Sequence, residues 1–130
     1  MGRSLDKLAC RPWAHHPRVE LVAGDVLDLE SLKQAAGGCK IAYYLVHSMI
    51  ARNRDYAAAD RRAAENMRRA TEAAGLKQII YLGGLGDQDH GRISPHLQSR
   101  HEVGAILQSG AVPATVLRAA MIIGSGSASF

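Results

Sequence analysis

The sequence has few aromatic side chains, although its formal net charge is +4. Phenylalanine, tryptophan and tyrosine together make up 5% of the 130 residues. Nucleic-acid-binding surfaces usually combine basic side chains with aromatic ones, so this composition disfavours a nucleic-acid partner. The densest group of arginines is more typical of a solvated helix face. Its members are Arg52, Arg54, Arg61, Arg62, Arg68 and Arg69.

Cysteines and long apolar runs are also scarce. Cys10 and Cys39 lie far apart and in no CxxC pattern, which predicts two reduced thiols in an intracellular protein. His15 and His16 have no further ligand at a suitable spacing, so we expect no metal site. No apolar run reaches the roughly 18 residues that span a bilayer. The first residues lack the apolar core of a signal peptide, and we therefore expect a cytoplasmic protein without a membrane span.

A complete phosphate-binding loop is missing as well. The dinucleotide fingerprint G-x-G-x-x-G runs from a strand directly into a helix. In YLGGLGDQDH (81–90), Gly84 and Gly86 supply the first two glycines, but Asp89 replaces the third. Asp87 and Asp89 also place negative charge where a phosphate needs backbone N–H donors. We conclude that this stretch is not a phosphate loop, and no other G-x-G-x-x-G occurs in the sequence.

The sequence does contain an alternation of strand and helix patterns. Short apolar runs with β-branched or aromatic members predict strands, and apolar residues three and four apart predict helices. The run 41–49 is apolar almost throughout, which predicts a strand covered on both faces. Predicted strands are 18–25, 41–49, 78–84 and 114–124, and predicted helices are 28–38, 53–74 and 95–109, with Gly37, Gly75 and Gly110 as stop signals.

This order of elements predicts one α/β domain. Strands that alternate with helices over short connections form a parallel sheet with helices on both faces. Ligands of such sheets bind beyond the carboxyl ends of the strands. In this sequence those ends are Gly24-Asp25, Val46-His47-Ser48, Leu82-Gly83-Gly84 and Ala119-Ala120-Met121.

Six stretches, taken in order, resemble a known family. They are GDVLD (24–28), YYLVHSM (43–49), D-x-x-A-A-E-N-M (60–67), AAGLKQIIYLGGLG (73–86), SRHE (99–102) and GAVPATVLRAAMIIGSGSASF (110–130). Their order is similar to that of atypical short-chain dehydrogenase/reductases, most closely the NmrA-like NAD(P)H-binding group. The resemblance covers nearly the whole chain and implies a Rossmann-like, doubly wound parallel sheet.

The resemblance also implies that part of the domain is absent. In the family a strand, a Gly-rich loop, a helix and a second strand open the domain, and RSLDKL (3–8) resembles the segment just after that second strand. We therefore expect residues 1–130 to form a partial NAD(P)-binding domain, N-terminally truncated, that lacks the first βαβ unit and also stops before the substrate-binding part. In the strand order 3-2-1-4-5-6 the absent strands belong between 18–23 and 41–46. A missing N-terminal segment or a second chain would complete the sheet; otherwise segment 18–23 moves or is disordered.

The implied cofactor of the complete protein is NADP or NAD, with weak or no affinity in the 130 residues alone. Asp25 and Val26 match a pair that contacts adenine, although Asp25 is equally suited to end a strand or cap a turn. Arg3 matches a position that pairs with a 2′-phosphate, which a guanidinium binds with two hydrogen bonds. Asn66 matches a polar position that supports the loop after strand 41–46; the alternative is a solvent-facing side chain.

Further cofactor positions follow the later strands. Leu45, Val46 and His47 match the loop beside the adenosine ribose. The alternative is that Leu45 and Val46 are core residues and His47 is a surface imidazole. The remaining positions implied to lie near the cofactor are Gly83, Gly84, Arg100, Ala119, Ala120 and Met121.

The implied catalytic pair is His96 and Arg100, which align with the family's Tyr-x-x-x-Lys. In the family the lysine lowers the pKa of the tyrosine, which passes a proton as hydride moves. A spacing of four keeps both side chains on one helix face, where Arg100 could hold ribose hydroxyls and His96 could serve as an acid. Gly83 and Gly84 stand where the family carries a serine hydroxyl, so the catalytic positions are not matched.

Three functions stay open at this point. The first is an NAD(P)-dependent oxidoreductase or epimerase acting on a small-molecule substrate. The second is a non-catalytic dinucleotide-binding redox sensor or accessory subunit. The third, weaker one is a basic interaction protein that acts through the arginines of 52–69.

Overall fold

The computed structural model describes residues 1–46, 56–86 and 94–120. Within these ranges four helices and three strands follow one another. In chain order they are α1 (Leu5–Ala9), α2 (Leu29–Ala36), β1 (Ile41–Tyr44), α3 (Tyr56–Ala73), β2 (Gln78–Gly84), α4 (Pro95–Gln108) and β3 (Ala114–Ala119).

The three strands form one parallel sheet in the order β1-β2-β3. Ile41 of β1 lies opposite Gln78, and Ile79 of β2 lies opposite Ala114 of β3. Parallel neighbours need crossover connections, which α3 and α4 supply. The predicted α/β class with a parallel sheet is confirmed, and strand 78–84 is found with its predicted bounds.

The core lies between the sheet and the helices. α4 packs against β2 and β3, and α3 packs between α2 and α4. Small side chains on α3, such as Ala64 and Ala70, are fully buried and let the helices approach closely. The main cluster of buried side chains consists of Tyr44, Ala64, Leu76, Ile79, Tyr81, Val103, Leu107 and Val112.

The opposite face of the sheet is open at β1, which corrects the prediction of a strand covered on both faces. Side chains alternate between the two faces along a strand. Tyr44 is buried against the helices, whereas Ile41 and Tyr43 on the other face are 46% and 68% exposed. An apolar run indicates that its side chains favour burial, but the pattern does not show whether another element covers both faces of the strand.

The predicted strand 18–25 is also wrong as a regular strand. Among residues 1–46 this segment makes one isolated parallel bridge, between Gly2 and Ala23. The amide of Gly2 donates to Val22 O at 3.0 Å, and the amide of Gly24 donates to Gly2 O at 3.1 Å. An alternating pattern becomes a ladder only where a neighbouring backbone pairs with it, and here the first three residues are the neighbour.

The helices end close to the predicted positions. Asp28 caps α2 by accepting from the amides of Glu30 and Ser31, so this helix starts one residue later than predicted. Gly37 is the C-cap of α2, and Gly75 follows α3 with a φ of 67° that disfavours other residues. Residues 53–55 of the second predicted helix, 47–49 of the second predicted strand and 121–124 of the last predicted strand lie outside the described ranges.

Candidate functional site

The carboxyl ends of the three strands meet along one edge of the sheet. Gly84 at the end of β2 lies opposite Ala119 at the end of β3. Beyond this pair the amide of Leu85 donates to Ala119 O at 2.7 Å, which holds the two strand ends together. Leu45 and Val46 continue from β1 and are 59% and 40% exposed, so they are not core residues.

Of the other predicted cofactor positions at this edge, Ala120 is exposed directly after β3. His47 and Met121 lie outside the described residues. The described part of the edge therefore carries glycine, alanine and exposed aliphatic side chains.

Gly84 is buried and packs tightly against α4. A Cβ placed on Gly84 would lie 2.5 Å from Leu97 Cδ1 and 3.4 Å from Arg100 Cδ. A Cβ on Gly83 would lie 3.2 Å from Tyr81 Cε1 and 3.3 Å from Val116 Cγ1. The leucine side chain thus occupies the space that a serine side chain at position 84 would enter.

Arg100 lies beside Gly84 on the inner side of α4. Its Nε is buried and has no hydrogen-bond partner among residues 1–46, 56–86 and 94–120. The Tyr81 hydroxyl donates to the Arg100 carbonyl oxygen at 3.3 Å. Burial raises the pKa of Tyr81, the nearby Arg100 guanidinium opposes this, and Asp60 adds to the rise. The phenol of Tyr81 therefore stays protonated and remains a donor at neutral pH.

His96, the other predicted catalytic residue, contacts α3. Its ring lies 6.2 Å from the ring of Tyr56, centroid to centroid, with the planes tilted by 54°. Arg100, one turn further along α4, contacts Gly84. The resemblance to the family did not point to Tyr56 as the neighbour of His96.

Arg3 and Asp25 follow the isolated bridge between Gly2 and Ala23. Because Gly2 pairs with Ala23, Arg3 and Gly24 leave this bridge side by side and in the same direction. Arg3 is exposed and Asp25 is half-buried. The bridge thus brings the backbones of Arg3 and Asp25 near each other, and their assignment to the 2′-phosphate and the adenine stays a prediction.

The segment Asp25–Asp28 forms a turn held by side chains. Asp25 Oδ1 accepts from the amide of Leu27 at 2.9 Å. Ser31 Oγ accepts from the amide of Asp25 at 3.0 Å and lies 3.0 Å from the carbonyl oxygen of the same residue. Asp25 therefore does cap a turn, and its contact with adenine stays a prediction.

Asn66 secures the same turn from α3. Its side chain is 8% exposed, and Nδ2 donates to Val26 O at 3.0 Å. The alternative of a solvent-facing Asn66 is therefore wrong. Its partner is the turn after segment 18–24, which the sequence did not predict.

A buried polar pair between α3 and α4 was missed entirely. Ser99 Oγ donates to Asp60 Oδ2 at 3.2 Å, and the two residues are 2% and 6% exposed. Asp60 also acts on the nearby Tyr44. Burial raises the pKa of the Tyr44 phenol strongly, and the electrostatic effects of Asp60 and Tyr81 raise it further. The sequence does contain a signal for this pair. Asp60 lies three residues before Ala63, and Ser99 lies four residues before Val103, so each polar residue stands on the apolar face of its helix.

Two features are absent from the described ranges, a metal cluster and a membrane-spanning helix. No group of three histidine, cysteine, aspartate or glutamate side chains there is arranged to hold a metal ion. None of the four helices of the described part is long and apolar enough to cross a membrane.

The residues present fit part of a dinucleotide. The half-buried guanidinium side chain of Arg100 suits ribose hydroxyls, and exposed Arg3 near the turn at Asp25 suits an adenosine bearing a 2′-phosphate. No glycine-rich loop that would hold the pyrophosphate is present in the sequence. Any dinucleotide bound by these residues alone would be held at its two nucleoside ends.

Comparison with known proteins agrees with this geometry. A family model described as NAD(P)H-binding matches residues 1–124. No curated protein sequence matches the chain.

Solved structures share the fold. The Citrobacter sp. triphenylmethane reductase complexed with NADP(H) aligns with a TM-score of 0.73 at 21% identity, over 90% of this chain and 38% of that one. A Staphylococcus aureus nucleoside-diphosphate-sugar epimerase aligns at 0.71 and 21% identity, over 90% and 39%. The Escherichia coli NADPH-dependent quinone oxidoreductase complexed with NADPH gives 0.62 and 22%, over 77% and 32%.

The chain spans well under half of the length of each of these structures. Their fold confirms the Rossmann-like class. Because the family model matches nearly the whole sequence, the chain belongs to the NAD(P)H-binding family and is a Rossmann-like NAD(P)H-binding domain.

Proposed function

We propose that the protein, in its complete form, uses NADP(H) or NAD(H) as an oxidoreductase or epimerase acting on a small molecule. The observation that carries this proposal is the half-buried Arg100 beside Gly84, whose Nε lacks a hydrogen-bond partner in the described ranges. The similar solved structures include a reductase, an epimerase and a quinone oxidoreductase.

The side chains have distinct roles in this proposal. The cofactor, when bound, supplies or accepts a hydride. The Arg100 guanidinium donates to ribose hydroxyls at the end of β2 and fixes the position of the sugar. His96 exchanges a proton with the substrate oxygen, because an imidazole can both donate and accept a proton.

A second candidate function is a non-catalytic redox sensor or accessory subunit that binds the dinucleotide. The specific observation in its favour is Leu97, which fills the space beside Gly84. A serine hydroxyl that polarises a substrate carbonyl has no room there. Under this alternative the cofactor is bound but not turned over.

The experiment that separates the two functions uses the complete protein. NADPH fluorescence enhancement reports binding, and NADPH consumption with a panel of carbonyl compounds and quinones reports turnover. For the enzyme we expect turnover that falls at least about tenfold in Arg100→Met and His96→Gln, whereas Gln98→Ala on the exposed side of α4 stays near the wild type. Binding without NADPH consumption across the panel would reject the oxidoreductase. If sugar nucleotides are not epimerised in the presence of the cofactor either, the enzyme is rejected and the sensor is supported.

We also propose that a strand–loop–helix unit with a Gly-rich loop completes the sheet at β1, supplied by an N-terminal segment or by a second chain. β1 has a paired neighbour on one side, β2, in the described part. Ile41, Tyr43 and Leu45 expose apolar side chains along this strand. The unpaired backbone edge of β1 is a template for a further strand, and the helix of such a unit would cover the exposed apolar side chains.

Amide hydrogen exchange on β1 tests this proposal. Addition of such a unit, in cis or in trans, is expected to slow exchange of the β1 amides and to confer NADPH binding. Tyr43→Lys should weaken the association more than Thr115→Lys, which lies on the same face two strands away. Unchanged exchange at β1 in a chain that binds NADPH would contradict the proposed position.

We place the protein in the cytoplasm on the basis of its thiols. Cys10 and Cys39 are both exposed and unpaired with each other. A reducing compartment keeps such thiols free. Fractionation of cells that express the tagged protein, with thiol alkylation of each fraction, would test this location.

A further inference from the structure

We propose that Asn66 is a positioning residue for the adenosine side of the cofactor site, a role that rests on the dinucleotide binding proposed above. Asn66 is itself no predicted cofactor position. It acts through Val26, to which its Nδ2 donates at 3.0 Å.

The turn Asp25–Asp28 is held from two sides. From α2, Ser31 Oγ lies 3.0 Å from both the amide nitrogen and the carbonyl oxygen of Asp25. From α3, Asn66 holds the carbonyl of the next residue, across 40 positions of sequence. The Val26 side chain also packs against the main core cluster. Val26 is therefore anchored through both its carbonyl group and its side chain.

This anchoring determines which atoms of the turn stay free. Asp25 Oδ1 accepts from the amide of Leu27, so Oδ2 is the carboxylate oxygen left to accept from the amino group of adenine. The Val26 carbonyl accepts from Asn66, which fixes the direction of this peptide group. Loss of the Asn66 amide would release this carbonyl and allow the turn to rotate.

The burial of Asn66 and its place in α3 suit it to holding the turn in position. A buried amide that lacks a partner is costly, so its hydrogen bond is strongly maintained. α3 is the longest described helix, and Asn66 lies in its middle, where a helix is most rigid. The hydrogen bond from Asn66 thus connects the turn Asp25–Asp28 to the middle of α3.

The test compares Asn66→Asp with Ser99→Ala. Asn66→Asp is nearly isosteric and replaces the donor by a carboxylate. Ser99→Ala removes another buried hydrogen bond of α3, the one to Asp60, but touches no predicted cofactor residue. The probes are 5′-AMP and NADPH, followed through the backbone NMR signals of residues 24–28 and through amide exchange in the unliganded chain.

In the wild type, 5′-AMP should shift the signals of residues 24–28. Asn66→Asp should speed the exchange of the Leu27 and Asp28 amides about tenfold and weaken 5′-AMP binding about five- to tenfold, whereas Ser99→Ala should change each less than about twofold. Lowering the pH should slow this exchange again in Asn66→Asp relative to the wild type, because the protonated carboxyl can donate to Val26 O.

Three results would overturn the inference. Equal effects of the two variants would make Asn66 an ordinary structural residue. NADPH binding that leaves the signals of residues 24–28 unmoved would reject the inference while the proposed function stands. Failure of the complete protein to bind either probe would reject both together.

Discussion

Ser99 on α4 and Asp60 on α3 form a buried hydrogen bond, with 3.2 Å between Ser99 Oγ and Asp60 Oδ2. Both residues are nearly inaccessible to water, at 2% and 6% exposure. A buried carboxylate is costly unless hydrogen bonds satisfy it. The pair therefore fixes how α3 and α4, the helices flanking the strand ends, lie against each other.

Removing this hydroxyl should destabilise the domain. We expect Ser99→Ala to lower the free energy of unfolding by about 1–3 kcal/mol, because the carboxylate loses one of its donors. Urea denaturation measures the change. Ser109→Ala is the matched control, since its exposed hydroxyl donates to Ile106 O at the end of the same helix. Equal losses in the two variants would show that the buried bond contributes nothing special.

A serine at position 84 should be poorly tolerated because of Leu97. The added Cβ would lie 2.5 Å from Leu97 Cδ1, so the leucine must move. We expect Gly84→Ser to cost about 1–3 kcal/mol, and its cost to fall when Leu97→Ala is combined with it. A double-mutant cycle by urea denaturation measures the coupling.

Gly83→Ala serves as the control for this cycle. Its Cβ would meet Tyr81 and Val116 at 3.2 and 3.3 Å and does not approach Leu97 as closely. Its cost should therefore be independent of Leu97→Ala. Additive effects of Gly84→Ser and Leu97→Ala would show that the leucine does not block position 84.

Local signals were enough to predict much of the fold. Strand 78–84 combines an apolar run with a glycine end, and the structure gives it the same bounds. Gly75 was predicted to end the long helix, and its positive φ explains why glycine stands there. The predicted strand 18–25 failed because a ladder depends on a neighbour, and sequence pattern does not reveal which backbone lies alongside.

The site was predictable only in outline. The family resemblance placed Gly84, Arg100 and Ala119 near one edge, and the structure brings the first two into contact and pairs the first with the third. The bond from Asn66 to Val26 could not be predicted, because it joins residues 40 positions apart through a side chain. Such contacts depend on how the helices pack, which local periodicity does not determine.

Glu72 should make the stability of the domain depend on pH in acid. Its pKa is lowered from an ordinary 4.5, first by the hydrogen bond from the Ala111 amide and also by Arg68, while partial desolvation opposes them. A carboxyl with a lowered pKa in the folded state contributes stability above its unfolded pKa and loses it as the pH falls through the folded value.

We therefore expect Glu72→Gln to be less stable than the wild type at pH 7, and this difference to vanish as the pH falls below 4.5. Glutamine retains an oxygen that can accept from the Ala111 amide, so the variant removes mainly the charge. Chemical denaturation from pH 7 to pH 3 measures the effect. Glu30→Gln, whose carboxylate pairs with Lys33 on exposed α2, is the control. A difference that persists unchanged at pH 3 would contradict the role of the Glu72 charge.

Arg3 should determine the preference between the two dinucleotides in the complete protein. The bridge between Gly2 and Ala23 places exposed Arg3 beside the turn that starts at Asp25. A guanidinium there can bind a 2′-phosphate with two hydrogen bonds, and an ammonium cannot reproduce this geometry. We expect Arg3→Ala to weaken binding of 2′,5′-ADP about tenfold and to leave 5′-AMP binding within about twofold, with Arg3→Lys intermediate.

Calorimetric titration of both nucleotides measures this preference. Lys7→Ala is the matched control, because Lys7 is an exposed cation on α1 and belongs to no predicted cofactor position. The loss for 2′,5′-ADP should also shrink at high salt, since part of the attraction between an exposed cation and a phosphate is screened. An equal loss for both nucleotides would mean that Arg3 supports the turn rather than the phosphate, and NADP would then have no advantage over NAD at this site.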